Sequence, residues 1–154
     1  MTNIIDNNKI TVGWREWVAL PQLGIPAVKA KVDTGARTSA LHAFELEAFE
    51  DNGVAKVRFG IHPLQRNIDM ELFCVADVID QRFVTDSGGH REERYVISTP
   101  IMVGQTTWEI EMTLTNRDTM SFRMLLGRTA MRNRIVVDPS ISYANGRKLR
   151  RAYS

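Results

Sequence analysis

Cysteine occurs once in these 154 residues, as Cys74. One thiol excludes a disulfide framework and any multi-cysteine zinc site. No apolar run approaches the roughly 20 residues of a membrane helix, so no membrane contact is expected. Met1 to Lys9 lacks the apolar stretch of a secretory signal. A Gly-rich phosphate loop is missing, and so is His-Glu-x-x-His. His42, His62 and His90, with Cys74, stand at no metal-ligand spacing. These absences predict a soluble, cytoplasmic chain in a reducing compartment, with no metal, ATP or other cofactor. Hydrophobic residues at 44% and charged residues at 25% are what one globular domain over 1–154 needs.

Lysine is scarce too, five against 15 arginines. The net charge of +2 hides an asymmetry. Residues 1–122 carry 12 basic and 17 acidic side chains, whereas 123–154 carry eight basic ones and a single acid, Asp138. Arginine offers a planar fork of donors suited to carboxylates and phosphates. The tail therefore reads either as a solvated basic face or as a contact for an acidic partner.

The dominant hydrophobic period is two. Phe44 to Ala48 and Val57 to Ile61 alternate around Asp51-Asn52-Gly53, a hairpin turn. Trp108, Ile110, Met112 and Leu114 alternate with Glu109, Glu111 and Thr113. Gly104-Gln105 turns the preceding strand, Val96 to Val103, into that one. Leu72 to Ile79 and Ile135 to Val137 read as further strands, the latter stopped by Asp138-Pro139. Only Thr129 to Arg134 reads as a short helix. Eight or more short strands with close turns predict an all-β sandwich or barrel-like fold.

The segment Val28 to His42 carries the chemistry. A strand runs into Asp33, and the small residues Thr34, Gly35 and Ala36 follow. Gly35 permits a backbone turn that other residues resist. This run resembles the Asp-Thr-Gly loop of aspartic peptidases, where two loops bring two carboxylates together to share a proton and activate water. About ninety residues on, Phe122 to Arg128 supplies Leu125-Leu126-Gly127-Arg128 before the short helix. The whole order is strand, Asp-Thr-Gly-Ala loop, flap hairpin, aliphatic-aliphatic-Gly-Arg, helix, terminal strand. It resembles the retropepsin subunit over most of the chain. Residues 29–42, Trp108 to Glu111 and 114–128 are closer still to a bacterial family that carries the label ATP-dependent zinc protease. That family is associated with a RimK-type ATP-grasp ligase that adds glutamates to a small-subunit ribosomal protein. The resemblance implies a retropepsin-like closed barrel with one short helix near the C-terminus. It also implies a peptidase that trims such polyglutamate tails.

One Asp-Thr-Gly per chain cannot build a dyad, so a homodimer is expected, with Asp33 of each copy as shared acid and base. Thr34 and Gly35 would hold the loop. Asp86-Ser87-Gly88 could be a second half-site, but lobes of about fifty residues are too small for two β-domains. The polar run Thr85 to Arg94 instead falls where a mobile flap tip belongs, placing Ser87 and Gly88 over substrate. Viral retropepsins carry an acid after the Ala of the loop, whereas this chain has Arg37. Arg37, Arg128, Lys29 and Lys31 are then expected beside one another, awaiting a substrate carboxylate unless an acid such as Asp118 fills the gap. His42 is expected to be a structural hydrogen-bonder behind the loop. Two other readings stay open. One is a non-catalytic β-domain whose Arg147–Arg151 run, with Tyr143 and Tyr153, binds RNA or ribosome. The other is a zinc peptidase using Asp33, His42 and His90.

Overall fold

The alternating segments pair into twelve strands in the computed structural model, which describes residues 9–116 and 121–154. In chain order these are β1 (Ile10–Val12), β2 (Arg15–Leu20), β3 (Ile25–Val32), β4 (Ser39–His42), β5 (Glu45–Asp51) and β6 (Val54–Ile61). They continue with β7 (Leu72–Asp77), β8 (Asp80–Thr85), β9 (Arg91–Val103), β10 (Thr106–Thr115), β11 (Met124–Leu126) and β12 (Ile135–Val137). One α-helix, α1 (Arg128–Met131), and two 3₁₀ segments, Pro21–Leu23 and Lys148–Tyr153, complete the fold.

Six strands close a ring in the order β10-β4-β11-β3-β2-β9, because β9 also pairs antiparallel with β10. Closure removes the free edges that an open sheet would expose. β8 extends the ring outward as a hairpin with β9, β5-β6-β7 form a separate sheet, and β1 pairs with β12. β11 lies parallel to β3 and antiparallel to β4, so the late strand is inserted between the two strands that flank the Asp33 loop.

Alternation on β10 works as the sequence predicts. Trp108, Ile110, Met112 and Leu114 are buried with Leu41, Met124 and Leu126, while Glu109 and Glu111 face outward. Burying each such aliphatic side chain contributes about 1.5–3 kcal/mol. The Trp108 indole donates to the Ala130 carbonyl at 2.9 Å, tying α1 to β10. Asn52 and Gly53 both take positive φ, 51° and 81°, as a two-residue hairpin turn requires.

Several boundaries differ from the sequence reading. The helix starts one residue earlier than predicted and ends at Met131, because Arg132 turns to an extended ψ of 127° and Asn133 then takes a left-handed φ of 65°. The strand expected from Leu72 to Ile79 stops at Asp77. Val78 still bonds to Ala55, but Ile79 bonds to Val96, so the chain crosses there from one sheet to the other. β9 begins at Arg91 rather than Val96, its polar start paired to β8. β2 shows no alternation because both its faces are covered, Glu16 included.

Candidate active site

Asp33 follows the last residue of β3, and its backbone N–H donates to the Leu126 carbonyl at 2.9 Å. Its carboxylate folds back on its own loop: Oδ1 accepts the Gly35 N–H at 3.0 Å and the Ala36 N–H at 3.2 Å. Gly35 does not take the positive φ that reserves a position for glycine; a Cβ there would come to 3.3 Å from Oδ1, a close contact that the Asp33 side chain would have to relieve. Oδ2 receives no hydrogen bond among the described residues.

The late motif buttresses this loop. The backbone N–H groups of Arg128 and Thr129 donate to the carbonyls of Ala36 and Arg37, at 2.9 and 3.0 Å. Gly127 donates to Ser39 Oγ at 3.0 Å. A Cβ on Gly127 would come within 2.6 Å of the Thr38 backbone, so any larger residue would push the Asp33 loop out of place. The Arg128 guanidinium reaches the Gly35 carbonyl at 3.2 Å, while Thr34 sits exposed in the turn.

The β8–β9 hairpin overhangs the loop, and a cleft of about 940 Å³ lies between them. Asp86-Ser87-Gly88 forms the hairpin tip. Asp86 Oδ1 accepts the N–H groups of Gly88 and His90, each at 2.9 Å, so this second Asp-x-Gly builds a turn. Ser87 and Gly88 line the cleft opposite Asp33.

Strand register explains the cleft floor. Lys31 pairs with Leu125, Leu125 with Ala40, and Ala40 with Thr113, so these four side chains share one face across four strands. All four line the cleft, as do Arg37 and Arg128. Lys31, Arg37 and Arg128 have no carboxylate within ion-pair distance among the described residues. Asp118, the acid considered for that gap, lies outside the described residues. Lys29 is not among the cleft-lining residues. It donates to Gln65 at 3.1 Å and lies over the Trp17 and Tyr143 rings.

Three other features escaped the sequence reading. Arg94 lines the cleft with its side chain only 9% exposed, its Nε donating to Glu92 at 2.7 Å. The only hint was an Arg at an inward-facing position of an alternating strand. Glu16 is fully buried, and its carboxylate accepts N–H groups from Gly13, Ala144 and Asn145 at 2.7, 2.7 and 3.1 Å. Finally, the basic C-terminal segment packs against the barrel. The Tyr153 hydroxyl bonds both the N–H and the carbonyl of Ala27, and Tyr143 lies beneath Arg15 and Arg147. Arg150 and Arg151 remain exposed.

His42 is buried at the end of β4, and its backbone N–H donates to Arg123. His90 is at the hairpin tip, 3.4 Å from Asp86. Among the described residues no three His, Cys, Asp or Glu side chains converge as a metal-binding set, so Asp33, His42 and His90 do not meet.

A closed strand ring with Asp-Thr-Gly at the end of one strand, an inserted Leu-Leu-Gly strand behind it and a hairpin overhead defines a retropepsin-like subunit. Residues 11–148 match the profile of the RimB-like family, described as retropepsin-like aspartic endopeptidase RimB, and the chain belongs to that family. It is 48% identical over 144 residues to a probable alpha-L-glutamate ligase of Shewanella pealeana, and 45% identical over 141 residues to one of Desulfotalea psychrophila. Those matches cover 94% and 92% of this chain but 31% and 30% of the relatives, so the chain spans about a third of their length. A solved Legionella pneumophila protein of unknown function shares the fold with a TM-score of 0.73. That match is 24% identical in sequence and covers 88% of this chain and 98% of the other.

Proposed function

We propose that the chain is an aspartic peptidase that trims acidic, glutamate-rich tails, including that of a ribosomal protein, as a homodimer with one Asp33 from each copy. The observation that carries this reading is the Asp33 carboxylate. One oxygen is pinned by two backbone N–H groups, and among the described residues the other has no donor, in a cleft where Lys31, Arg37 and Arg128 have no carboxylate partner.

Two such carboxylates brought face to face cannot both stay ionised, so they share one proton. The ionised one takes a proton from water, whose oxygen adds to the substrate carbonyl. The protonated one donates to the carbonyl oxygen. Collapse of the resulting diol breaks the C–N bond, and the amine leaves with a proton. Lys31, Arg37 and Arg128 supply the attraction for an acidic chain. The names of the longer relatives support the substrate class, because a domain joined to a glutamate ligase fits a role in reversing that ligase's product.

The test is cleavage of a polyglutamylated peptide by wild type and Asp33→Asn, with and without EDTA, alongside a solution mass. The expected outcome is a dimer whose activity survives EDTA and vanishes in Asp33→Asn. Activity in Asp33→Asn, in a strict monomer, or only with restored zinc would overturn the reading.

A further inference from the structure

Arg94 is a cation that the cleft buries without fully satisfying. Removing a guanidinium from water is costly unless its donors are met. Its side chain is about nine-tenths buried, yet it lines the cleft. A guanidinium has five N–H donors. Nε donates to Glu92 at 2.7 Å and Nη1 reaches Thr113 Oγ1 at 3.4 Å. Among the described residues the remaining donors have no protein partner, and none is sealed off from solvent, on a residue that lines the cleft.

The neighbours fix how the guanidinium is held. Thr115 Oγ1 donates at 2.7 Å to the same Glu92 oxygen that binds Nε, so that carboxylate is held on the Nε side. Thr113 Oγ1 in turn donates to the Ser39 carbonyl at 3.2 Å, which fixes the floor beneath Nη1. Arg82, the cross-strand partner of Arg94 on β8, is committed to Asp80 and Glu111 at 2.7 and 2.9 Å. Arg94 is thus held at Nε and at Nη1, which lie on different edges of the guanidinium, and its Nη2 has no protein partner among the described residues. Parallel N–H donors on a planar edge match a carboxylate in bidentate fashion.

We infer that Arg94 is the receptor for a substrate side-chain carboxylate, a subsite in the cleft wall that selects glutamate over glutamine. This rests on the reading of the chain as a peptidase for acidic tails and adds the residue that discriminates. Glutamine would set an NH2 against N–H donors, and a site built to hydrogen-bond one group rejects its mismatched isostere strongly. Glu92 offsets the charge of Arg94, so recognition here works through directed donors rather than long-range field. Its contribution should therefore outlast added salt better than that of the exposed Arg37.

The experiment measures binding of labelled oligoglutamate and oligoglutamine peptides of equal length to Asp33→Asn protein, which cannot turn them over. Arg94→Met and Arg94→Lys are then added in that background. The expected result is a preference for oligoglutamate that falls about tenfold or more in Arg94→Met, persists at high salt when Arg94 is present, and is only partly kept by Arg94→Lys. An unchanged preference in folded Arg94→Met overturns the proposal. If that variant does not fold, the same ratio in Arg94→Lys decides, since a point charge cannot replace the fork. Equal binding of both peptides before Arg94 is touched means that the acidic-tail reading has failed, and the subsite falls with it.

Discussion

Mixing active and inactive subunits asks whether the site needs two chains. Asp33→Asn is suited to this because the structure lets Asn keep the loop. Its carbonyl oxygen can accept the Gly35 and Ala36 N–H groups that Oδ1 accepts now, at 3.0 and 3.2 Å. Exchanging a charged for a neutral acceptor in a half-exposed turn should cost no more than about 1–2 kcal/mol of stability. The amide nitrogen then occupies the place of Oδ2, where it can neither share a proton nor take one from water. Losing an acid–base group costs about 10²–10⁴ in rate. Co-expressed one to one, random pairing gives about a quarter fully wild-type dimers, about half mixed and about a quarter fully mutant. With an obligate dyad the activity per total protein is then about 25% of wild type, and it follows the square of the wild-type fraction. Independent sites would give about 50% and a straight line. The assay is the initial rate on a glutamylated peptide across a series of mixing ratios. Differently tagged chains allow native mass measurement to confirm that mixed dimers form. A linear dependence with mixed dimers present would refute the two-chain site.

Three further outcomes are expected. Arg37→Ala should lower the preference for a glutamate-rich over a glutamine-rich peptide by up to about tenfold with little loss of stability, since Arg37 is exposed and makes no ion pair among the described residues. A competition assay on equal-length peptides checks this, and equal cleavage of both by wild type would count against it. Glu16→Gln should cost about 2–5 kcal/mol in urea unfolding, because its NH2 must face at least one of the backbone N–H groups that the carboxylate now accepts; a cost below about 1 kcal/mol would contradict that account. Burial pushes the Cys74 thiol up from 9.0 to about 11. Below pH 9 both folded and unfolded chains keep the proton. Between pH 9 and about 11 the unfolded chain loses it first, so stability falls as pH rises through that window. Cys74→Ala should flatten this slope in unfolding curves, and an identical slope would remove Cys74 as its source.

Local pattern was enough for the β-class, the hairpin at Asn52-Gly53, the inward face of β10 and the loop at Asp33. Each of these depends on neighbours within a few residues: side-chain alternation, a positive φ, or a carboxylate bonding to the N–H groups two and three residues on. The motif order from Asp33 to Arg128 likewise carried the family. Tertiary structure alone decided the rest. Only the pairing of β3, β11, β4 and β10 sets Lys31, Leu125, Ala40 and Thr113 in one row, because register links residues more than seventy positions apart. A single residue separates Lys29 from Lys31 on β3, yet only Lys31 lines the cleft, since Gln65, Trp17 and Tyr143 take up the other. Arg94 reads in sequence as one charge in a polar run, and Glu16 as an ordinary surface acid. Their roles come from partners on other strands and loops, and nothing local records whether a charged side chain will be buried, paired or left facing a cleft.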